Sequence, residues 1–143
     1  MIGVIFSVEP PNKSIWGDVI GWTNILDKWE VDFYIMVDKD ALVPNWEDSR
    51  RESYRVNNYD EALAKLKEVH PECITTLFTN NTDKTLNEHT HYKEECYILG
   101  PDNSWIDLDV TTKVKIPSGP IWAVNCVNIA LYDRKVRNGS SNN

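Results

Sequence analysis

Three segments at the start of the chain restrict its fold more than any other feature. Residues 2–8 are an apolar run, residues 31–37 are a mostly apolar segment, and between them apolar residues recur at helical spacing from Ile15 to Trp29. Strands that are buried on both faces read as continuous apolar runs, and such strands are typical of parallel sheets. The order strand, helix, strand therefore predicts a βαβ unit, a parallel pair with a right-handed crossover.

The remainder of the chain repeats this alternation. Strands are predicted over residues 73–79, 96–99 and 114–116, and helices over residues 59–69 and 121–136. Residues 44–58 are polar and charged without a clear period, which indicates a long surface loop with at most one helical turn near residues 46–51. Residues 80–93 read as a second polar loop, with a short extended piece over residues 86–92. The predicted fold class is α/β, a mostly parallel sheet of five or six strands with helices on both faces.

The size and composition favour one globular domain. The chain has 143 residues, enough to bury a core, and residues 138–143 read as a frayed polar tail. The first apolar run lacks a basic flank, so we interpret it as a core strand and not as a signal peptide. No apolar run reaches membrane-spanning length, so we expect a soluble protein with no membrane partner. Cys73, Cys96 and Cys126 lie in apolar segments and are expected to be buried free thiols in a reducing cytoplasm.

The charge of the chain bears on its partners. The formal net charge is −7, which counts against general binding of nucleic acids, because phosphates are bound through Lys and Arg. Arg50, Arg51 and Arg55 nevertheless form a basic cluster that is a candidate RNA contact, and residues 134–137 carry a second cluster. A solvated loop and a helix C-terminus are the alternative interpretations of the two clusters. DNA is not an expected partner.

Two histidines raise the question of a metal site. His89 and His91, with Glu88 and Glu94 beside them, alternate as residues on one face of a strand would. No third ligand follows at a spacing known from metal sites, so we interpret both histidines as solvated and predict no metal. Glu94 and Glu95 are adjacent and would point to opposite faces of a strand, which disfavours an acid–base pair.

The loops that follow the later strands are candidate ligand sites. Residues 79–82, 100–104 and 117–120 each leave the carboxyl end of a predicted strand, where ligands of open parallel sheets gather. These loops are rich in Gly, Pro, Asn, Ser and Thr, which turn sharply and expose backbone N–H and C=O groups. A cofactor with an adenine edge and a ribose needs such groups beside an apolar slot. Ordinary turns are the alternative interpretation.

Four motifs, in this order, resemble those of the small SpoU-type enzymes in the SPOUT (SpoU–TrmD) family of RNA methyltransferases. The Pro-Pro-Asn turn of residues 10–12 precedes a first helix, and residues 99–102, Leu-Gly-Pro-Asp, are similar to the family's Phe-Gly-Pro-Glu turn. Residues 116–117 match a short strand that ends in Ile-Pro. Residues 129–133, Ile-Ala-Leu-Tyr-Asp, are similar to an aliphatic-Tyr-Glu pattern in the family's last helix. The correspondence extends over residues 1–137.

This resemblance implies a fold, a cofactor and a set of site residues. It implies a C-terminal trefoil knot whose last three loops bind S-adenosylmethionine, a homodimer, and ribose 2′-O-methylation of RNA, with tRNA the expected substrate. The implied cofactor contacts are Leu77, Phe78, Thr79, Leu99, Gly100, Pro101, Ile116, Pro117, Ser118 and Ile121. The catalytic candidates are Asn12, Asp102 and Asn125. The first and last helices would form the dimer interface through Trp16, Trp22 or Trp29, unless these tryptophans are buried in the monomer core.

Several polar positions of the family differ in this chain. An arginine of the first helix, thought to help activate the ribose 2′-hydroxyl, falls at or next to Gly21, and residues 15–24 contain no arginine. The glutamate after Gly-Pro is Asp102, the glycine three residues later is Trp105, and the family's Ser-X-Asn corresponds to residues 120–122. An arginine from residues 50–55 could substitute, within one chain or from a partner. Three functions stay open: an RNA 2′-O-methyltransferase, a catalytically silent dimeric binding module derived from SPOUT proteins, or an unrelated small α/β domain.

Overall fold

Six strands and three α-helices make up the described part of the computed structural model, which comprises residues 1–8, 15–43, 47–101, 106–117, 121 and 123–138, with residues 15–20 described by their backbone. In chain order they are β1 (Ile2–Ser7), α1 (Ile15–Lys28), β2 (Phe33–Val37), β3 (Glu52–Val56), α2 (Tyr59–Val69), β4 (Ile74–Phe78), β5 (Glu95–Leu99), β6 (Thr112–Val114) and α3 (Ala123–Asn138). A 3₁₀ turn, Leu86–Glu88, lies between β4 and β5. Within these residues no helix has the length and apolar character needed to cross a membrane.

All six strands belong to one sheet, and each pair of neighbours is parallel. The strand order is β3-β2-β1-β5-β4-β6. The chain first builds from β1 to β2 and β3, and then crosses to the other side of β1 to add β4, β5 and β6. The connections therefore change direction between β1 and β5, which makes this the topological switch point of the sheet. The predicted α/β class with a mostly parallel sheet is confirmed, and the number of strands is six.

Helices cover both faces of the sheet because alternate strand residues point to opposite sides. Ile5 of β1 faces the layer of α2, where it belongs to one core cluster with Leu66. Phe6, the next residue, faces the layer of α1 and α3, and its ring stacks on Trp22 with 4.1 Å between the ring centroids. Trp22 is therefore part of the monomer core, and its predicted exposure at a dimer interface is wrong.

Four predictions of local structure are wrong. The proposed loop over residues 44–58 contains β3, which pairs with β2 at the edge of the sheet. An edge strand with one face toward solvent does not need an apolar run, so Glu52–Val56 carries no such signal. The extended piece predicted over residues 86–92 begins instead with the 3₁₀ turn, and β6 lies two residues earlier than predicted. The last helix continues through Asn138, the first residue of the predicted tail.

The three cysteines are free thiols, as predicted. Cys96 is fully buried, whereas Cys73 and Cys126 are half-buried. Burial raises the pKa of Cys73 to about 11 and that of Cys126 to about 12, and it raises the pKa of Cys96 as well. All three sulfurs therefore stay protonated at neutral pH, and none has the low pKa that a nucleophilic thiolate requires.

Two glycines provide a matched test of the packing. A Cβ added to Gly3 of β1 would lie 2.0 Å from Cζ of the buried Phe33 ring, whereas one added to Gly21 of α1 would meet nothing nearer than Cγ2 of Val124 at 3.9 Å. We expect Gly3→Ala to lower the free energy of unfolding by about 1–3 kcal/mol because Phe33 must shift. Gly21→Ala should raise it by up to about 1 kcal/mol, since alanine favours helix. Urea denaturation measures both, and equal effects would contradict the packing of β1 on β2.

Candidate cofactor site

Three neighbouring strands of the sheet end in one row. The pairing places Phe78 of β4 opposite Leu99 of β5 on one side and opposite Val114 of β6 on the other. The segments that begin at Thr79, Gly100 and Lys115 therefore leave the sheet side by side at its carboxyl edge. This edge is where open parallel sheets bind ligands.

The segment after β4 is held against β6 by backbone hydrogen bonds. The Thr79 N–H donates to the Val114 carbonyl at 2.9 Å, and the Thr79 hydroxyl accepts from the Asn81 N–H at 3.1 Å. Further along, the Lys115 N–H donates to the Lys84 carbonyl at 2.9 Å, and the Leu86 N–H donates to the Lys115 carbonyl at 2.8 Å. Residues 79–86 therefore run alongside β6 and close one side of the row.

The predicted cofactor contacts follow this row with different degrees of exposure. Leu77, Phe78, Thr79 and Leu99 are buried, Gly100, Pro101, Ile116 and Ile121 are half-buried, and Pro117 is exposed. The side chain of Leu77 belongs to the core layer of α2, so only its backbone faces the row of strand ends. Ile121 lies two residues before α3. Ser118 lies outside the described residues, so its predicted contact has no structural description.

Of the catalytic candidates, Asn125 alone lies among the described residues. It is exposed on the first turn of α3, while Asn12 and Asp102 lie outside the described residues. Gly21, the position aligned with the family's arginine, faces Val124 of α3. Asn125 therefore directly follows Val124, the residue of α3 that lies against Gly21 of α1.

The three arginines proposed to contact RNA differ in their surroundings. The Arg51 guanidinium is mostly buried, where it pairs with Asp27, pairs with Asp48 at 2.8 Å and donates to the Val31 carbonyl at 3.3 Å. Arg50 is exposed and also pairs with Asp27, at 2.8 Å. These contacts join α1 to the segment before β3. Arg55 lies exposed on the edge strand β3 itself.

Comparison with known proteins identifies the fold. No protein-family model matches the sequence, and no curated protein sequence matches it either. A crystal structure of an RNA 2′-O ribose methyltransferase superposes with a TM-score of 0.73 at 12% identity, over 96% of this chain and 56% of that one. The TrmH/SpoU tRNA modifying enzyme of A. aeolicus gives 0.70 at 11% identity, over 98% of this chain and 77% of that one. This chain has the SpoU methyltransferase fold.

A third structure adds a ligand to the comparison. The SpoU methyltransferase AviRb from Streptomyces viridochromogenes, in complex with AdoMet, superposes with a TM-score of 0.70 at 15% identity, over 97% of this chain and 58% of that one. The present chain thus spans little more than half the length of two of these three methyltransferases. The resemblance that the sequence motifs indicated is confirmed at the level of the SpoU fold.

A second cluster of ionisable groups lies at the opposite, amino edge of the SpoU-type sheet. Its centre is Glu95, the first residue of β5, which is fully buried. Its carboxylate accepts hydrogen bonds from the Thr76 hydroxyl, from the Tyr92 N–H at 2.8 Å and from Arg134 of α3 at 3.1 Å. His89 Nε2 lies 2.7 Å from the same carboxylate. This cluster joins β4, β5, the loop between them and α3.

The prediction that the two histidines are solvated is wrong. His89 is 0% exposed and His91 is 7% exposed. His91 Nε2 lies 2.7 Å from Asp133 Oδ2, and His91 Nδ1 lies 2.6 Å from the Tyr97 hydroxyl. Polarity along the loop suggested solvent, but His89 pairs with the buried Glu95, and His91 pairs with Asp133 of α3, which is distant in sequence.

Burial shifts the pKa values of the groups in this network. It lowers the pKa of His91, whose Nε2 faces Asp133 and whose Nδ1 faces the Tyr97 hydroxyl, so the ring is neutral at pH 7. It raises the pKa of Tyr97, whose hydroxyl keeps its proton and donates to Glu95 Oε1 at 3.0 Å. Burial alone would raise the pKa of Glu95, but hydrogen bonds from His89, Thr76 and the Tyr92 backbone hold it below its usual value. Glu95 is therefore a buried carboxylate anion.

The same residues include the three ligand types of a metal site, with His89, His91 and Glu95 offering atoms within 4.8 Å of one another. Two guanidinium groups argue against that role. Arg134 lies 3.1 Å from the Glu95 carboxylate, and Arg137 lies 3.1 Å from His91 Nε2. These cations already balance the anions and would repel a divalent ion. We interpret the cluster as a buried network of ion pairs and hydrogen bonds.

Neighbouring glutamates test this interpretation. We expect Glu95→Gln to lower the free energy of unfolding by about 3–5 kcal/mol, because Arg134 loses its buried partner. Glu94→Gln is the matched control, since Glu94 pairs with the N-terminal amine at a solvent-accessible position. This substitution should lower the free energy of unfolding by less than about 1 kcal/mol. Urea denaturation at pH 7 gives both values, and a small effect of Glu95→Gln would show that the network does not stabilise the fold.

Proposed function

We propose that the protein is an S-adenosylmethionine-dependent RNA ribose 2′-O-methyltransferase that acts on tRNA in the cytoplasm. The strongest support is the row of three aligned strand ends in a sheet with the SpoU methyltransferase fold. Two structures with that fold add detail, since the A. aeolicus protein is a tRNA modifying enzyme and AviRb was solved in complex with AdoMet. The three free thiols agree with a reducing compartment.

The described residues at the row suit an adenosine-like cofactor. Ile116 and Ile121 are half-buried, so each keeps some apolar surface accessible, and Gly100 lets a ligand approach the backbone closely. We expect Gly100, the backbone of residues 77–79 and residues 116–121 to hold S-adenosylmethionine. When bound, this cofactor supplies a methyl group attached to a positively charged sulfur.

We also propose that the chain is knotted at this site. The hydrogen bonds of Lys115 to residues 84 and 86 bring β6 against the segment after β4, as a knotted loop set requires. An experimental backbone trace through residues 75–125 without a crossing would contradict the knot.

The protein's own task in the reaction is to orient and deprotonate a ribose hydroxyl. The position of the family's arginine is Gly21, so another group must polarise the acceptor oxygen. Asn12, Asp102 and Asn125 are the polar candidates that the sequence offers for this role. Among the arginines of residues 50–55, Arg51 is engaged by two aspartates, whereas Arg55 is exposed and suits a contact with RNA or with a partner's site.

A catalytically silent, dimeric binding module is the second candidate function. The absence of an arginine from residues 15–24 and the net charge of −7 favour it, because both weaken the apparatus for binding and activating RNA. Such a module could keep the cofactor pocket while lacking methyl transfer. Cofactor binding and methyl transfer must therefore be measured separately.

Cofactor binding is tested at Gly100. We expect calorimetric titration to detect binding of S-adenosylmethionine and S-adenosylhomocysteine to the full chain. Gly100→Leu should weaken the binding of both ligands by at least about 100-fold, because a side chain would occupy the space where the ligand meets the backbone. Ala64→Leu, at an exposed position of α2, adds the same side chain away from the row and should leave the affinity unchanged.

Failure of both ligands to bind the unmodified protein would overturn the proposed enzyme. If they bind, labelled methyl transfer to bulk tRNA decides between the two functions. Transfer supports the methyltransferase, and binding without transfer to any RNA fraction supports the silent module.

We further propose that two copies of the chain associate through α1 and α3. Ile129, Tyr132 and Val136 are 41%, 60% and 57% exposed, and their spacing places them on one face of α3. Trp29 lies against this face, with its ring edge-on to Tyr132 at 6.3 Å and its Nε1–H donating to Asn128 at 2.7 Å. A continuous exposed apolar stripe of this kind is typical of an interface.

The dimer is tested at Tyr132. We expect the unmodified chain to be dimeric by light scattering coupled to size exclusion. Tyr132→Glu should raise the dissociation constant by about 30-fold or more, because it places a charge in the centre of an apolar contact. Lys67→Glu, at an exposed position of α2 on the other face of the sheet, is the control and should leave the mass unchanged. A monomeric parent or an unaffected Tyr132→Glu variant would contradict the interface.

A further inference from the structure

A cleft of about 220 Å³ opens beyond the carboxyl ends of β1 and β2, outside the row of strand ends that forms the candidate cofactor site. Its lining includes Ser7 at the end of β1 and Val8 just after it, Asp38 and Leu42 from the segment after β2, and Pro101 from the segment after β5. No residue of the cleft belongs to the network around Glu95 at the other edge of the sheet. The cleft is therefore separate from both the row of strand ends and the buried network.

The position of the cleft is that of a ligand site. It lies at the switch point between β1 and β5, where crossovers leave in opposite directions and a crevice forms. Pro101 belongs both to this cleft and to the predicted cofactor loop, so the two sites are adjacent. A group bound here would lie beside a bound methyl donor and not in its place.

One wall of the cleft is rigid before any ligand binds. The buried carboxylate of Asp38 accepts from the Leu42 N–H at 2.8 Å and from the Val43 N–H at 3.1 Å, which fixes the turn after β2. Ala41, inside this turn, has a φ of 52°, in the left-handed region that non-glycine residues seldom adopt. On the opposite wall the Tyr59 hydroxyl donates to the Leu99 carbonyl at 2.6 Å. Fixed walls reduce the entropy lost when a ligand binds.

The cleft also contains a polar group that needs a partner. The hydroxyl oxygen of Ser7 is buried, and among the described residues it has no hydrogen-bond partner. Buried polar groups in folded proteins are nearly always paired, so an unpaired hydroxyl on a residue that lines a cleft is a candidate contact for a bound group. A hydroxyl can donate one hydrogen bond and accept others.

We propose that this cleft binds the nucleobase of the acceptor nucleotide and prefers bases with an exocyclic amine, an inference that rests on the proposed function. Its volume is below the range of about 300–1,000 Å³ typical of larger ligands and suits a single base. Val8, Leu42 and Pro101 give apolar contact for the base faces. Asp38 and Asp40 outweigh Lys39 in charge, so the lining disfavours a phosphate and favours an amine that donates hydrogen bonds.

Nucleosides without phosphate are the appropriate probes, and nuclear magnetic resonance of the full-length ¹⁵N-labelled protein reports where they bind. The sample is titrated with cytidine and with uridine after addition of excess S-adenosylhomocysteine. We expect saturable shifts at the amides of Val8, Lys39 and Leu42, with cytidine binding about three- to tenfold more tightly than uridine. Equal affinities would overturn the preference for an amine, and shifts confined to other residues would overturn the site.

Two substitutions test the residues of the cleft. Ser7→Ala removes the unpaired hydroxyl. It should weaken the binding of cytidine about three- to tenfold without lowering the thermal stability of the protein. Ser53→Ala is its matched control, because that hydroxyl accepts from the Asp48 N–H away from the cleft. Leu42→Trp should fill the cleft and abolish the cytidine shifts. Unchanged cytidine binding in both Ser7→Ala and Leu42→Trp would overturn the assignment.

The same titrations separate this inference from the proposed function. Shifts caused by S-adenosylhomocysteine at residues 77–79 and 100 support the cofactor site independently of any nucleoside. Cofactor binding without cytidine binding would overturn the cleft alone. Cytidine binding in the cleft without cofactor binding would overturn the methyltransferase and leave a nucleoside site.

Discussion

The fold depends on the compensation of one buried charge. Glu95 begins β5 with its carboxylate fully enclosed, and it is held by donors from β4, from the preceding loop and from α3. An ionised carboxylate in the protein interior is costly unless it is both paired and hydrogen-bonded. Arg134 supplies the pairing cation from the C-terminal helix. If α3 detached from the sheet, the Glu95 carboxylate would therefore be left without its cation or become exposed to solvent. The network thereby fixes one end of α3, and the other end begins just after the candidate cofactor loops.

Much of the fold follows from periodicity in the sequence. The apolar runs of β1 and β2 predict buried parallel strands, and the stripe from Ile15 to Trp29 predicts the crossover helix, because burial on both faces leaves a strong pattern. β3 leaves no such pattern, since an edge strand with exposed Glu52 and Arg55 and only half-buried positions beside them reads as a loop. The burial of His91 is also invisible locally. Its partners Asp133 and Arg137 are more than forty residues away.

The candidate site could be predicted in position more readily than in chemistry. Turn-forming residues at strand ends mark the loops, and the parallel pairing of β5, β4 and β6 brings them into one row. Which polar groups point into the row or into the neighbouring cleft depends on side-chain placement that no spacing rule encodes. Ser7 illustrates this limit, because it is the polar residue at the end of an apolar strand and reads as part of the core. Only the three-dimensional structure reveals that its hydroxyl has no hydrogen-bond partner among the described residues and that Ser7 lines a cleft.

The distance in sequence between Glu95 and Arg134 has a consequence for how the chain is made. During synthesis β4 and β5 emerge well before residues 133–137, so their sheet edge has an uncompensated acid until α3 arrives. Among the described contacts, the half of the sheet formed by β1, β2 and β3 has no fully buried carboxylate whose pairing cation comes from the last helix. The two halves should therefore mature at different times on the ribosome. The half with the candidate cofactor edge becomes complete only when the last helix has left the exit tunnel.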